Sequence, residues 1–409
     1  MRGYSGRQMP AQASISDRTW WIAVVTSKLR PTRARDVTAI DETATLLRES
    51  AAEFLKEQSE LTARDFDVAA VPAFEAERWR ELAQLGWLGL GLPEELGGPG
   101  FGMSESAVLC EEFGRVASRV PYLAASVLPA ALLKHCQQVY ELAPMLTNGE
   151  RPFAVAWQER TTLSATDALR TRYESGRVSG AKRFVIAADT SSVLLVNAAE
   201  NGEPVWVAVD AGSRQVRLER FAVGLGSAAT VHFDGAPILG GEPLATGAMA
   251  ERATTYAQQA GRLAIAAQLI GVTNGLLDKT LAYVAGRVQF ARPISSFQVI
   301  RHRCVDLYIA TRLARATFNH AMRSFEAAPG APATDAAISA AKARTGDVAV
   351  QVGREAVQMH GGMGFVEEGG LGRYLRAALH LRAWLGAPLE HRRRFMSLRA
   401  VSEVSDVSC

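Results

Sequence analysis

The chain has 409 residues, of which 48% are hydrophobic and 21% charged, a composition that excludes a disordered or fibrous protein. This length predicts two to three domains, and the apolar runs stay well short of the roughly 18 residues that cross a bilayer, so we predict no membrane span. The formal net charge of +3 divides into +6 on residues 1–35 and −3 on the rest, which argues against a general nucleic-acid-binding surface.

Residues 1–35 form an arginine-rich leader with a single acidic residue. Its apolar stretch Trp20–Val25 is shorter than the hydrophobic region of a secretory signal. A targeting segment, a nucleic-acid-binding arm and a misassigned start are alternative interpretations. The composition favours a flexible basic extension.

Residues 36–150 are expected to form an N-terminal helical domain. Apolar residues recur at spacings of three and four in Ala44–Phe54 and again after Trp79. The stretch Leu92–Gly100 is rich in glycine and proline and predicts a loop. Ser104 is a plausible N-cap for the next helix, and the apolar run to about Cys136 predicts two buried helices.

Residues 151–247 change to the short apolar or alternating runs of β-strands, which predicts a small antiparallel β domain. The dipeptide Asn201-Gly202 lies between two of these runs and predicts a tight hairpin. The predicted strands are Phe153–Trp157, Val193–Asn197, Val205–Val209, Val216–Phe221 and Thr230–Phe233.

Residues 248–400 return to long helical patterns, and four helices with short connections predict an antiparallel bundle. The expected helices are Ala250–Tyr283, 299–325, 333–359 and Tyr374–Trp384, with Pro329-Gly330 as a breaker and 401–409 as a tail. The fold class is therefore α+β, with helical domains on either side of a β domain.

The four cysteines are far apart and form no CxxC pair, which argues against a zinc site and against a disulfide framework. The seven histidines form no HExxH motif. We therefore predict no metal ion, and the cysteine usage is typical of the reducing cytoplasm.

Two stretches carry candidate binding chemistry. Gly361-Gly362 allows a backbone to approach a diphosphate closely, Arg287 can pair with a pyrophosphate, and Phe290 can pack on an adenine. The amide of Gln298 can both donate and accept hydrogen bonds. The alternative is structural: the glycines only end a helix, and Phe290 belongs to the core.

In this α–β–α order, four stretches resemble the acyl-CoA dehydrogenase family over about residues 36–400. They are Trp79–Gly100, Lys182–Val196, Arg287–Asp306 and Gln358–Phe365, with Ala291 where the family has glycine. The resemblance implies an N-terminal helical domain, a middle antiparallel β domain and a C-terminal four-helix bundle. It also implies FAD, an acyl-CoA substrate of fatty acid or steroid side-chain β-oxidation, and an electron-transfer flavoprotein as acceptor. The residues that would contact the adenosine and pyrophosphate part of a FAD held mainly by a neighbouring subunit are Arg287, Phe290, Gln298, Gln358, Gly361 and Gly362.

The catalytic base of the family does not match. Family members use a glutamate in one of two positions to remove the acyl α-proton, and here those positions hold Leu385 and Gly261. Neither side chain can accept a proton. Glu251, Glu390, His380 and the pair Glu367-Glu368 lie elsewhere along the chain, and we do not expect any of them to replace the glutamate.

The flavin-facing segments of the middle domain also differ from the family. Gln158–Ser164 lacks the glycines and proline of the family loop, and Phe184-Val185-Ile186 stands for its Trp-Ile-Thr. The half-site that reaches a neighbour's FAD is thus retained, while the chain's own flavin site is eroded. This asymmetry predicts the chain without the glutamate in a two-chain α2β2 acyl-CoA dehydrogenase. A self-sufficient enzyme with a relocated base, as a homo-oligomer, and a non-enzymatic acyl-CoA-binding relative are the alternatives.

Overall fold

The computed structural model describes residues 42–56, 76–160, 169–224, 226–366 and 370–407, with side chains to residue 399. The leader 1–35 and the pair Glu367-Glu368 lie outside the described residues. So does most of the segment that replaces the flavin-facing loop, 161–168.

The N-terminal part is helical. Its helices are α1 (Glu42–Phe54), α2 (Ala76–Gln84), α3 (Met103–Arg115), α4 (Leu128–Leu133) and α5 (Leu142–Thr147), with a π-helical turn at Leu123–Val127 before α4. The start of α3 differs from the prediction by two residues. Gly102 rather than Ser104 is the N-cap, and its N–H donates to Glu105 Oε2 over 2.8 Å.

The middle part is an eight-stranded sheet in the order β6-β7-β3-β2-β4-β5-β8, with β1 paired to β4. The strands are β1 (Phe153–Ala156), β2 (Arg172–Glu174), β3 (Arg177–Ile186), β4 (Val193–Glu200), β5 (Glu203–Asp210), β6 (Val216–Val223), β7 (Gly226–Pro237) and β8 (Ala245–Thr246).

The sheet is largely antiparallel, as predicted, but β1 runs parallel to β4. The hairpin at Asn201-Gly202 joins β4 to β5, and both residues have positive φ. Strand β3 was not predicted because only scattered positions along it are buried and it contains arginine, serine, glycine and lysine.

The C-terminal part is the predicted bundle with one further helix. Its helices are α6 (Gly247–Gly286), α7 (Gln298–Ala327), α8 (Pro332–His360), α9 (Leu371–Ala383) and α10 (Pro388–Val407). The sequence did not indicate α10, since charged residues interrupt its apolar pattern. This helix continues past residue 400, so the predicted tail 401–409 begins inside it. The limits given above for the N-terminal, middle and C-terminal domains remain predictions.

Helix α6 is the central helix of the molecule and contacts α3, α4, α7, α8 and α9. By length and composition it could cross a membrane, but 89% of its most apolar 18-residue window is buried inside the protein. The helical core is continuous from the N-terminal helices through α6 to α9, and it includes one face of the sheet. A second core lies on the other face of the sheet.

Candidate functional site

A tight hairpin after α6 carries Phe290. Strands β9 (Val288–Gln289) and β10 (Arg292–Pro293) pair so that Phe290 and Ala291 form a two-residue turn. Both have positive φ, 52° and 59°, as the centre of a type I′ turn requires. Phe290 is 86% exposed, so it is not the core residue of the structural alternative.

The ends of this hairpin place Arg287 and Gln298. The N–H of Arg287 donates to the carbonyl of Tyr283 over 2.8 Å, and the carbonyl of Arg287 accepts from Ile294 N–H over 2.8 Å. A 3₁₀ turn, Ile294–Ser296, then leads into α7, whose first residue is Gln298. Both Arg287 and Gln298 are exposed, one at the end of α6 and the other at the start of α7.

The double glycine lies at the end of α8. Gly361 has a φ of 60°, and Gly361–Gly364 form a 3₁₀ turn. The structural alternative therefore describes the local conformation correctly, since the glycines do end a helix. It does not explain Gly362, whose φ is not positive and whose missing Cβ would meet nothing within 4 Å. The backbone at Gly361 and Gly362 is open to solvent, as is Gln358 in the last turn of α8.

Tyr283 and His360 connect these two segments, and the sequence analysis missed both. The rings are stacked with centroids 4.0 Å apart, and the Tyr283 hydroxyl donates to the His360 carbonyl over 3.2 Å. The signal in the sequence is weak: Tyr283 precedes Arg287 by one helical turn, and His360 directly precedes Gly361. The six predicted half-site residues (Arg287, Phe290, Gln298, Gln358, Gly361 and Gly362) are thus exposed on two segments that are joined behind them. We call these six residues the half-site.

The two positions predicted to correspond to the family's base, Gly261 and Leu385, lie against each other. A Cβ at Gly261, in α6, would come within 2.8 Å of Leu385 Cδ1 and 2.5 Å of Leu128 Cδ2. Leu385 follows α9 and is 2% exposed. The space at Gly261 is therefore filled by two leucine side chains, which we call the leucine plug (Leu128 and Leu385).

The turn at Leu385 is held by basic groups rather than by a free carboxylate. Lys342 Nζ donates to the carbonyls of Arg382 and Gly386 over 3.1 and 3.2 Å, and His391 Nε2 lies 3.0 Å from the Leu385 carbonyl. Burial, assisted by Arg262 and Arg382, lowers the pKa of Lys342 to about 7. Burial and the nearby charges of Lys342 and Arg262 lower the pKa of His391 to about 3.

The other acids and the histidine considered from the sequence have different surroundings. Glu390 accepts the Ala387 N–H over 2.7 Å at the start of α10. Glu251 is exposed in the first turns of α6. His380 stacks on Trp384, and burial lowers its pKa to about 4. These contacts support the expectation that none of the three replaces the glutamate.

An ion pair occupies the start of the segment that replaces the flavin-facing loop. Lys182 Nζ donates to Glu159 Oε1 over 2.6 Å, and Glu159 also accepts the backbone N–H groups of Arg170 and Thr171. Lys182 is completely buried, and burial lowers its pKa to about 8 against the opposing effect of Glu159. Phe184 contacts Phe221 edge to face at 5.9 Å.

Two family models match the chain and together cover more than half of it. The model for the N-terminal domain of acyl-CoA dehydrogenase matches residues 41–139, and that for the C-terminal domain matches residues 252–396. Among curated proteins, the acyl-CoA dehydrogenase IpdE2 of Mycolicibacterium smegmatis is 28% identical over 365 residues, covering 87% of this chain and 98% of that protein.

Solved structures have the same architecture. The ChsE4-ChsE5 complex from Mycobacterium tuberculosis contains a chain that is 26% identical, with a TM-score of 0.78 over 89% of this chain and 98% of that one. A glutaryl-CoA dehydrogenase from Mycobacterium smegmatis, solved with FADH2, has a TM-score of 0.75 over 90% of this chain and 95% of that one. At 20% identity this second likeness concerns the fold alone.

Proposed function

This chain belongs to the acyl-CoA dehydrogenase family, and we propose that it is the subunit of a heteromeric acyl-CoA dehydrogenase that completes a partner chain's FAD site. In this proposal it contributes no catalytic carboxylate, and the Glu-bearing partner chain carries the base. The assembly would remove hydrogen from the α and β carbons of an acyl-CoA thioester.

The observation that carries the proposal is the contact between Gly261 and the leucine plug. The two positions predicted for the family's base meet at one point, and two leucine side chains fill it. A general base must lie within about 3 Å of the proton it removes. The titratable side chains bonded at this turn are Lys342, His391 and Glu390, and all three are engaged with backbone groups.

The half-site supports the second part of the proposal. The open backbone at Gly361 and Gly362 leaves room for a diphosphate, and the exposed guanidinium of Arg287 offers paired donors for one. The exposed ring of Phe290 offers a face for an adenine, and Gln298 and Gln358 offer amide groups. The chemistry that FAD supplies when bound is acceptance of the acyl β-hydride.

This chain keeps the half-site residues, while leucine side chains fill the predicted position of the base. An assembly of two different chains accounts for both features, because the partner supplies the base. The ChsE4-ChsE5 complex is a precedent for a chain of this fold in a complex. We propose an electron-transfer flavoprotein as the electron acceptor and a substrate from fatty acid or steroid side-chain β-oxidation.

The flavin content of the purified chain tests the proposal. We expect the chain alone to be colourless and inactive, and to become part of a yellow, active complex when co-expressed with a Glu-bearing family member encoded beside it. A yellow protein with one flavin per chain, active alone on an acyl-CoA with an artificial acceptor, would indicate the self-sufficient enzyme instead. A colourless chain that forms no flavin-containing complex would indicate the non-enzymatic relative.

The half-site is tested separately by Arg287→Ala in the co-expressed complex. Losing a hydrogen bond to a charged group should weaken FAD binding about 10- to 100-fold in a fluorescence titration of the deflavinated complex. The matched control is Arg220→Ala, which removes an exposed arginine on strand β6. Equal FAD affinity in the two variants would contradict the trans site.

A further inference from the structure

We propose that Tyr283 is a positioning residue that holds the two segments of the half-site in register for FAD. The inference rests on the proposed function, because it assigns a role within that half-site. It concerns a residue that lies behind the binding surface.

Tyr283 is bonded to both segments through different groups. Its carbonyl accepts the N–H of Arg287 over 2.8 Å, which fixes the backbone where α6 ends. Its hydroxyl donates to the carbonyl of His360 over 3.2 Å, which fixes the residue directly before Gly361. One residue therefore bonds both to the arginine that would pair with the pyrophosphate, through its backbone, and to the turn that would approach it, through its side chain.

The ring of Tyr283 adds a second restraint. It stacks on the imidazole of His360 at 4.0 Å with an interplanar angle of 20°. His360 is itself fixed, since its Nδ1 lies 2.8 Å from the carbonyl of Ala356 one turn earlier in α8. The stack thus joins the end of α6 to the end of α8 through two side chains with defined orientations.

These contacts matter because they join the ends of the two segments directly behind the binding surface. The 3₁₀ turn begins with Gly361, which has a positive φ, and the backbone at Gly361 and Gly362 has no neighbouring atoms within reach of a Cβ. A binding site loses affinity when its groups must be ordered at the moment of binding. Removing the Tyr283 hydroxyl should therefore weaken FAD binding although that group does not touch the cofactor.

The experiment compares Tyr283→Phe and Tyr283→Leu in the flavin-containing complex, with Tyr140→Phe as the matched control on a tyrosine that is 73% exposed in the N-terminal part. Each complex is deflavinated and titrated with FAD by fluorescence, and its melting temperature is measured without FAD. Tyr283→Phe keeps the stack and loses one neutral hydrogen bond, so we expect the dissociation constant for FAD to rise about three- to tenfold. Tyr283→Leu should raise it more than tenfold, and Tyr140→Phe should leave it unchanged.

If Tyr283 is a positioning residue, Tyr283→Phe should lower the affinity for FAD. It should change neither the flavin absorption spectrum of the saturated complex nor the melting temperature. An unchanged dissociation constant in Tyr283→Phe overturns the inference. So does a rise matched by a lower melting temperature without FAD, since that pattern indicates a general structural role. If Arg287→Ala weakens FAD binding and Tyr283→Phe does not, the inference fails and the proposed function stands. If Arg287→Ala also has no effect, the half-site itself is wrong.

Discussion

A Cβ on Gly261 would lie 2.8 Å from Cδ1 of Leu385, although the two residues are 124 positions apart in the chain. These are the two positions that the sequence analysis predicts to correspond to the family's base. Leu128, the first residue of α4, fills the same space from the other side. Leucine side chains therefore fill the space around Gly261, and a longer side chain at this position would need both of them to move.

Gly261→Ala should destabilise the chain by about 1–3 kcal/mol, since the added methyl group overlaps two buried leucine side chains that must shift. Urea unfolding measures the change. Gly286→Ala is the matched control at the other end of α6, where a Cβ meets nothing within 4 Å and alanine favours the helix. The control should be neutral or slightly stabilising.

The contact between Gly261 and Leu385 predicts that the stability effects of substitutions at the two positions are coupled. Leu385→Ala alone should cost about 2–5 kcal/mol, because Leu385 is 2% exposed and its removal leaves a cavity. In the double variant, which combines Gly261→Ala with Leu385→Ala, the methyl group at position 261 occupies part of that cavity. The combined loss should then be smaller than the sum of the single losses by at least 0.5 kcal/mol. Strict additivity would show that the two positions do not share one space.

Gly362 and Gly364 should respond differently to alanine. A Cβ on Gly362 meets nothing within 4 Å, so Gly362→Ala should leave the free energy of unfolding within about 0.5 kcal/mol of the parent. In the co-expressed complex the same methyl group should lower FAD affinity, because it occupies the open backbone that faces the cofactor.

Gly364→Ala is the comparison. Its Cβ would lie 2.5 Å from the carbonyl oxygen of Val357, so the variant should lose more than about 2 kcal/mol of stability. If both variants lost the same stability and neither changed FAD affinity per folded complex, the double glycine would be only a helix end.

The sequence predicted the helices and most strands, because long apolar periods and short alternating runs report burial directly. It missed the short strands β2 and β8, and it failed at β3 and α10, where charged residues interrupt those periods. The spacing of the motifs predicted the half-site residues, and the structure places them on the surface; the bonds of Tyr283 to Arg287 and His360 follow no spacing rule. Nor does the sequence reveal that Gly261, Leu128 and Leu385 meet, since that contact depends on the packing of α4, α6 and the turn after α9.

Ala291→Gly should stabilise the hairpin that carries Phe290. Ala291 has a φ of 59°, where an alanine is strained by about 1–2 kcal/mol and glycine is not, while glycine costs more entropy on folding. We expect a net gain of up to about 1 kcal/mol, measured by thermal unfolding. Ala291→Val is the opposing variant, since a β-branched residue tolerates positive φ poorly, and it should lose stability. A gain in the valine variant would contradict the strained turn.

His391 should make the protein less stable in acid. Its pKa is lowered to about 3 by burial and by the facing charges of Lys342 on α8, Arg262 on α6 and Arg394 on its own helix. The folded state therefore keeps the ring neutral, while the unfolded chain binds a proton below about pH 6.5. Since the unfolded state binds more protons in this window, stability falls as the pH falls from about 7 towards 3.

His391→Gln removes this proton uptake and should flatten the dependence of the free energy of unfolding on pH between about 6.5 and 4. Part of the slope should remain, because burial also lowers the pKa of His380, to about 4. Glutamine can still donate to the Leu385 carbonyl, so the turn that holds the leucine plug keeps a partner. His320→Gln is the matched control, because it makes the same substitution on an exposed ring of α7. Urea unfolding at half-unit pH steps measures all three proteins, and parallel curves for His391→Gln and the parent would mean that His391 is not held neutral by the fold.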